Sequence, residues 1–272
     1  MKGHVLVVVN QKGGVGKTTT VVNLAASLAE LAAKVLLVDL DPQGNATTGS
    51  GIDKNRMKLG VYDILFEESL IEEGLLRSEK GKYDVLASNR LLVGAEVELV
   101  QELGRESKLK NALEKVRSQY DYVLIDSPPT LTLLTINGLT AADFVLIPVS
   151  CEYYALEGIS DLLDTISKIK KARINPGLEV IGILRTMFDR RNNLAREVSA
   201  QLENYFKGDL FETMIPRNIK LAEAPSYGVS ILAYDKHSKG AKSYLALAKE
   251  LHKKIKERES VKAMYGQEKY VG

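Results

Sequence analysis

The sequence predicts an α/β fold, a single domain built on a mostly parallel, twisted β-sheet with helices on both faces. Three observations lead there. Short runs rich in Val, Leu and Ile recur at residues 5–9, 35–38, 122–125 and 144–149, each apolar throughout, as expected of strands buried on both faces of a parallel sheet. Segments of helical periodicity lie between them, so strand and helix alternate along most of the 272 residues. No internal repeat or long linker divides the chain, and a composition of 45% hydrophobic and 26% charged residues suits one large domain. Residues 1–260 are expected to form it, with 261–272 as a polar C-terminal tail.

The first strand, 5–9, runs into a glycine-rich lysine loop and then a helix, the order of a phosphate-binding loop. Gly13, Gly14 and Gly16, which flank Val15 in the loop, lack the Cβ that would keep the backbone from positive φ and its N–H groups from an anion. Lys17 supplies a point charge for β- and γ-phosphates, the Thr18 hydroxyl suits Mg²⁺, and the helix that continues through Thr19 directs its positive end at the same place. The domain is therefore expected to be a P-loop NTPase. Gln11 stands where the general motif G-x-x-x-x-G-K-[ST] has its first glycine, and an additional lysine, Lys12, stands at the front of the loop.

A helix is expected over 18–31, with Val22, Leu24, Ala25, Leu28 and Leu31 near one face. The strand at 35–38 ends in the carboxylate-rich turn Asp39-Leu40-Asp41-Pro42-Gln43-Gly44, of the kind that closes a strand at the functional edge of an α/β sheet. Residues 46–56, rich in Thr, Ser, Gly and Asn, read as a surface loop and candidate switch, and a short helix follows at 61–66. A strand at 83–87 and helices at 95–103 and 109–118 look architectural. The strand 122–125 ends at Asp126, followed by Ser127, Pro128 and Pro129. Downstream of a phosphate loop this is a Walker-B pattern, in which two strands of one sheet deliver Thr18 and Asp126 to the same ion. Then come a helix at 133–141, a strand at 144–149, a helix at 156–171, a strand at 180–184, a polar loop at 186–193 and a helix at 194–206. A short strand is expected at 211–215, then the segment PRNIKLAEAPSYG at 216–228, and a last helix at 241–257.

Composition narrows the function. The single cysteine, Cys151, leaves no intrachain disulfide and no one-chain cysteine metal cluster, and so excludes an electron carrier of the nitrogenase iron protein type. The start MKGHVLVVVN leaves no room for a signal peptide, and no apolar run approaches the roughly 18 residues of a membrane span, so a reducing cytoplasm is the expected setting. A net charge of +2 creates no global attraction to nucleic acid or anionic lipid. Any DNA contact must be local, and the candidates are Arg190, Arg191, Arg217, Lys220 and, on the last helix, Lys242 and Lys249. Such side chains neutralise phosphates without reading bases, which makes binding salt-sensitive and sequence-tolerant.

KGGVGKTT at 12–19, DLDPQGN at 39–45, IDSPP at 125–129, CEYYALEG at 151–158 and IPRNIKLAEAPSYG at 215–228 together resemble the ParA/Soj family of DNA-partition ATPases, almost end to end. The resemblance implies a deviant-Walker ATPase using ATP/ADP and Mg²⁺, and an ATP-dependent homodimer of sandwich form. It also implies non-specific binding of double-stranded DNA by that dimer, hydrolysis stimulated by a ParB-type centromere-binding protein, and a cytoplasmic, nucleoid-associated location. By the same resemblance Lys17 contacts the β- and γ-phosphates while Thr18 and Asp126 serve the metal. Lys12 matches the signature lysine that reaches across the dimer to the partner's nucleotide; the residues alone leave open a lysine that holds its own. Asp41 matches the residue that positions the attacking water, and Asp39 serves the Mg²⁺ shell or the turn, with the reverse assignment, or a turn-capping role for both, still open. Adenine is expected near Met187, Pro216, Arg217 and Asn218, although Met187 suits core packing equally well. Arg191 and Lys220 match family DNA-contact positions best.

The nearest rival is a MinD-type membrane-associated cell-division positioning ATPase. Its C-terminal amphipathic helix is poorly matched here. Lys253, Lys254, Lys256 and Arg258 supply charge, but after Leu251 and Ile255 the apolar face has only Val261, Ala263 and Met264, so no stable membrane association is expected. A non-catalytic nucleotide-gated module would not need Lys17, Asp41 and Asp126 together.

Overall fold

The computed structural model describes residues 3–268. β1 (His4–Val8) leads through the glycine loop into α1 (Lys17–Glu30), and β2 (Val35–Asp39) leads into α2 (Asn45–Gly49) and α3 (Val61–Phe66). β3 (Leu75–Ser78) and β4 (Tyr83–Leu86) precede α4 (Leu92–Glu98) and α5 (Lys108–Val116). The pairs β5 (Tyr122–Asp126) with α6 (Leu133–Ala141), β6 (Phe144–Ser150) with α7 (Ala155–Lys171), and β7 (Glu179–Thr186) with α8 (Asn193–Tyr205) continue the alternation. The chain closes with α9 (Ile219–Glu223), α10 (Ile231–Asp235) and α11 (Lys239–Glu268).

The seven strands lie in the order β3-β4-β2-β5-β1-β6-β7, parallel except for the β3–β4 pair. Side chains alternate across each strand, which splits the core in two. Val5, Val7, Leu36 and Val38 face the layer that holds α3 to α8. Leu6, Val8, Val35 and Leu37 face α1, α10 and α11. Both faces of the sheet are therefore covered, and its strands are apolar because neither face meets water. The register sets Val8 beside Asp126 and Asp126 beside Asp39, so β1, β5 and β2 end level at one edge. That edge carries the site.

The differences from the sequence expectation have local causes. Residues 211–215 form no sheet strand; the stretch runs beside β7 between isolated bridges, Ile183 to Leu210 and Phe188 to Pro216, and is tied to it by the Phe211 N–H to the Ile183 carbonyl at 3.0 Å and the Ile215 N–H to the Arg185 carbonyl at 2.9 Å. The Arg185 guanidinium takes the Phe211 carbonyl at 2.9 Å, and the Phe211 ring packs so close over Gly182 that a Cβ there would lie 2.7 Å from it. Residues 46–49 of the expected surface loop are helical, as part of α2, with Ala46, Thr47 and Gly49 buried. The edge strand β3 and the short helices α9 and α10 also lay outside the expectation. α11 continues to Glu268, so 261–268 of the expected polar tail are helical, in keeping with the helix-forming Glu, Lys, Ala and Gln there. Residues 269–272 lie outside the described residues. α11 is tied to α1 by the Tyr244 and Thr20 hydroxyls, 3.3 Å apart and buried. Among the described residues no helix is long and apolar enough to cross a membrane.

Candidate active site

The loop after β1 is pinned to β6 and β7 by two side-chain bonds. Asn10 donates its Nδ2 to the Pro148 carbonyl at 2.8 Å and accepts the Lys12 N–H at 2.9 Å, while Thr186 Oγ1 donates to the Val15 carbonyl at 2.8 Å. Gly14 and Gly16 take φ of +75° and +85°, the left-handed region that disfavours a Cβ. Gly13 does not; a Cβ there would meet nothing within 4 Å, so its value is open space for an approaching group rather than backbone freedom. Gly16 caps α1 without a side-chain bond, leaving the first N–H groups of α1 for an anion.

Lys17 opens α1 and is buried, its ammonium donating to the Lys12 carbonyl at 3.3 Å. Burial pulls its pKa down, and Asp126 and Asp41 oppose that shift. Thr18 Oγ1 donates to Asp126 Oδ2 at 2.7 Å. Asp126 is fully buried, and its Oδ1 has no hydrogen-bond partner. Burial, then the neighbouring Asp39, pushes its pKa well above the usual carboxylate range. An orphaned carboxylate oxygen beside a threonine hydroxyl is a hard-oxygen donor set that fits Mg²⁺.

Asp39 differs from the metal-shell expectation in having both oxygens engaged. Oδ2 accepts from the Thr47 N–H at 2.8 Å and the Thr47 hydroxyl at 2.7 Å, and Oδ1 accepts from the Asp41 N–H at 3.1 Å. Burial lifts its pKa to about 6. Its geometry is that of a brace joining β2 to α2. Thr47, which the sequence reading passed over, also accepts the Ser88 N–H at 2.9 Å. Thr47→Val should therefore cost about 1–3 kcal/mol, since it removes one of the two hydrogen bonds to the buried Asp39 Oδ2 and strands the buried Ser88 N–H. A urea-unfolding midpoint equal to that of the wild type would contradict this.

Asp41 stands at the rim instead. Its Oδ1 accepts the Gln43 N–H at 2.9 Å, and its carbonyl accepts from Ser88 Oγ at 2.9 Å. With Gly13, Lys17, Thr18 and Pro128 it lines a cavity of about 620 Å³. A second cavity of about 200 Å³ shares Gly14, Gly16 and Thr19 with the first and is walled by Met187, Pro216, Arg217, Asn218 and Tyr244. Those four residues from Met187 to Asn218 were expected around one pocket, and they surround one. Met187 takes φ of +50°, unusual outside glycine, where the chain turns out of β7. Tyr244, on α11, is an added wall with no local sequence signal.

Lys12 points elsewhere. Its Nζ lies 2.6 Å from Oε2 of Glu152, just after β6, and both side chains are about half exposed. The bond from Lys12 holds the Glu152 carboxyl below its usual pKa. Of the basic candidates, Arg190 and Arg191 occupy the loop after β7, and Arg217 joins them because its N–H donates to the Phe188 carbonyl at 3.4 Å. Arg191 grips Asp189 at 2.9 Å and, ahead of Arg217, draws that carboxyl's pKa to about 2. Lys220 follows on α9, paired with Asp235 of α10. Lys242 is exposed near the start of α11. Lys249 is not brought to this group; it lines a groove with His4 and Tyr122, at the opposite end of the strands.

A strand-loop-helix with Lys17 and Thr18 facing a buried aspartate at the end of a neighbouring parallel strand defines a P-loop NTPase. The AAA domain family matches residues 3–180. The sporulation initiation inhibitor protein Soj of Bacillus subtilis is 51% identical over 249 residues, covering 92% of this chain and 98% of Soj. The chromosome partitioning protein ParA of Myxococcus xanthus is 50% identical over 252 residues, 93% of this chain and 89% of ParA. Among solved structures, cobyrinic acid a,c-diamide synthase from Mycobacterium smegmatis with bound ADP and magnesium superposes with a TM-score of 0.79 at 38% identity, covering 91% of this chain and 93% of that one. The chain belongs to the Soj/ParA family of chromosome-partitioning ATPases.

Proposed function

We propose that the chain is a Mg²⁺-dependent partition ATPase whose ATP-bound sandwich dimer binds DNA without sequence preference and hydrolyses ATP when a ParB-type centromere-binding protein engages it. The observation that carries this reading is the position of Lys12: a cation at the front of an otherwise complete phosphate loop, turned outward to Glu152. A second subunit facing this edge would draw that ammonium to its own phosphates, and hydrolysis would then require two chains. The ADP and magnesium bound by the Mycobacterium smegmatis relative support the same pair here. Thr18 and Asp126 would hold the metal, which when bound supplies charge neutralisation at the phosphates. Lys17 and the N–H groups of α1 bind and orient the phosphates, Asp41 holds the attacking water, and the small cavity behind Met187 and Pro216 takes the base.

Arg190, Arg191 and Arg217 form the local basic edge, with Lys220 beyond it. One such edge is a weak phosphate binder; two edges held by one dimer act on the same duplex, which makes retention depend on ATP. The nucleoid would then be the chain's site in the cytoplasm. For the membrane-binding alternative, among the described side chains α11 offers only Val261 as a large exposed apolar group.

Co-sedimentation separates the two. With ATP, the protein should pellet with DNA beads and not with phosphatidylglycerol vesicles, and DNA retention should fall steeply with salt. Pelleting with vesicles and not DNA would overturn the partition reading.

A further inference from the structure

A separate groove lies at the opposite end of the strands from the phosphate loop. It has a volume of about 640 Å³ and runs between the end of α1 and the middle of α11, over the first residues of β1 and β5. Leu31, Ala32 and Ala33 make its apolar wall where α1 ends, and the rings of His4 and Tyr122, 5.9 Å apart, make its floor. Walls of this kind around a few placed polar groups are what a small-molecule site requires. α11 supplies the polar groups. Lys249, His252, Lys256 and Glu259 stand at i, i+3, i+7 and i+10, one stripe of the helix.

Charge identifies the occupant. Both acids of the groove are engaged: Asp121 Oδ2 accepts the Lys34 N–H at 2.7 Å, and Glu259 Oε1 lies 3.5 Å from His4 Nε2. Among the described residues neither Lys249 nor Lys256 has an ion pair, so two uncompensated ammonium groups stand on either side of His252. His252 adds a third donor. The Tyr122 hydroxyl meets its Nδ1 at 2.6 Å, and taking the phenol as the donor assigns the ring hydrogen to Nε2. The facing wall has the opposite polarity, because the last carbonyls of α1 carry the negative end of its dipole. An anionic group is thereby directed to α11 and an apolar body to α1. A DNA strand would bring phosphates but no apolar body. We propose that this groove binds a small organic anion, its carboxylate or phosphate held by Lys249, His252 and Lys256 and its apolar body laid on Leu31, Ala32 and Ala33.

The groove is built on the two helices that also serve the nucleotide site. α1 begins with Lys17 and Thr18 and is capped at its far end by Leu31, while α11 carries Tyr244 to the small cavity and His252 to the groove. Between the two sites the helices are joined by the Thr20 and Tyr244 hydroxyls. An occupant would bridge their far ends and leave the phosphate loop open, so anion and nucleotide would bind one chain together.

The test uses the whole chain, saturated with ADP and Mg²⁺, and two probes: anilinonaphthalene sulfonate, a fluorescent aromatic anion, and laurate as its competitor. One saturable fluorescence transition that laurate reverses is expected, and it should weaken with salt. Lys249→Gln/Lys256→Gln and, separately, Leu31→Glu are expected to weaken both probes by about tenfold or more while leaving the thermal melt as in the wild type. In histidine-selective NMR, laurate should shift the ring signals of His4 and His252 and leave those of His237, the third histidine, in place. Wild-type affinity in both variants, no saturable binding by the wild type, or unmoved His4 and His252 signals overturns the proposal. So does release of the probe by ATP and not by laurate, which would give it to the nucleotide cavity. A loss of DNA retention in the lysine variant would give the pair to DNA, and pelleting of the wild type but not of that variant with phosphatidylglycerol vesicles would give it to lipid; either result overturns the proposal as well.

Discussion

Lys12→Ala is expected to lose turnover by about 10²–10³-fold while nucleotide affinity changes only a few-fold, the pattern of a cation supplied from outside the binding subunit. The structure gives the reason for the split. The Lys12 ammonium is engaged by Glu152, whereas Thr18 bonds directly to Asp126, Lys17 bonds to the Lys12 carbonyl, and the loop is held by Asn10 and Thr186. Substitution by alanine keeps the Lys12 carbonyl that Lys17 uses and the N–H that Asn10 accepts. The nucleotide cavity should therefore persist. Phosphate release and the affinity for a non-hydrolysable ATP analogue, measured on the same preparation, check the prediction. An affinity loss as large as the rate loss would mean that Lys12 serves its own nucleotide.

Asp41→Ala should lower hydrolysis by about 10²–10⁴-fold and leave ATP binding, dimer and DNA retention in place. In phosphoryl transfer the protein contributes mainly positioning and electrostatics, so one carboxylate at the attacking water is decisive without any covalent role. The local structure tolerates the change. Asp41 makes its side-chain bond to Gln43 within its own turn, and that turn is also held through its carbonyl by Ser88 and through its N–H by Asp39. Asp39→Ala would act differently, removing the brace to Thr47 and loosening α2, so its effect should appear first in stability. Normal hydrolysis by Asp41→Ala would remove it from the catalytic role.

Much of the fold was legible because burial on both sheet faces writes a continuous apolar run, and β1, β2, β5, β6 and β7 each carry one. The phosphate loop was legible because its chemistry is local in sequence: glycines, Lys17 and Thr18 within a few residues. Asp126 was legible by its place at the end of a run. What was hidden is what depends on distant partners or on weak pattern. Thr47 looked like a loop residue in a Thr- and Gly-rich stretch, and only the buried Asp39 carboxylate makes it a helix anchor. Glu152 is 140 residues from Lys12 and shares no periodicity with it. Tyr244 reaches the site from α11 because that helix packs on α1. Lys249 reads like Lys242, seven residues earlier on the same helix, yet that distance along the axis carries it to the other end of the strands. The exposed Val93 and Val97 of α4 follow helical spacing as faithfully as its buried Leu92 and Ala95, so pattern alone marks the helix without saying which face is covered.

Mixing two inactive variants tests most directly whether Lys12 acts on the other subunit's nucleotide. In a dimer of Lys12→Ala with Asp41→Ala, the first chain keeps Asp41 beside its own nucleotide and receives the Lys12 of the second. One complete site is rebuilt. An equimolar mixture should recover about a quarter of the wild-type rate, since half of the dimers are mixed and each holds one working site of two. If each lysine serves its own chain, no combination contains a complete site, and the mixture will hydrolyse ATP no faster than the average of the two variants alone.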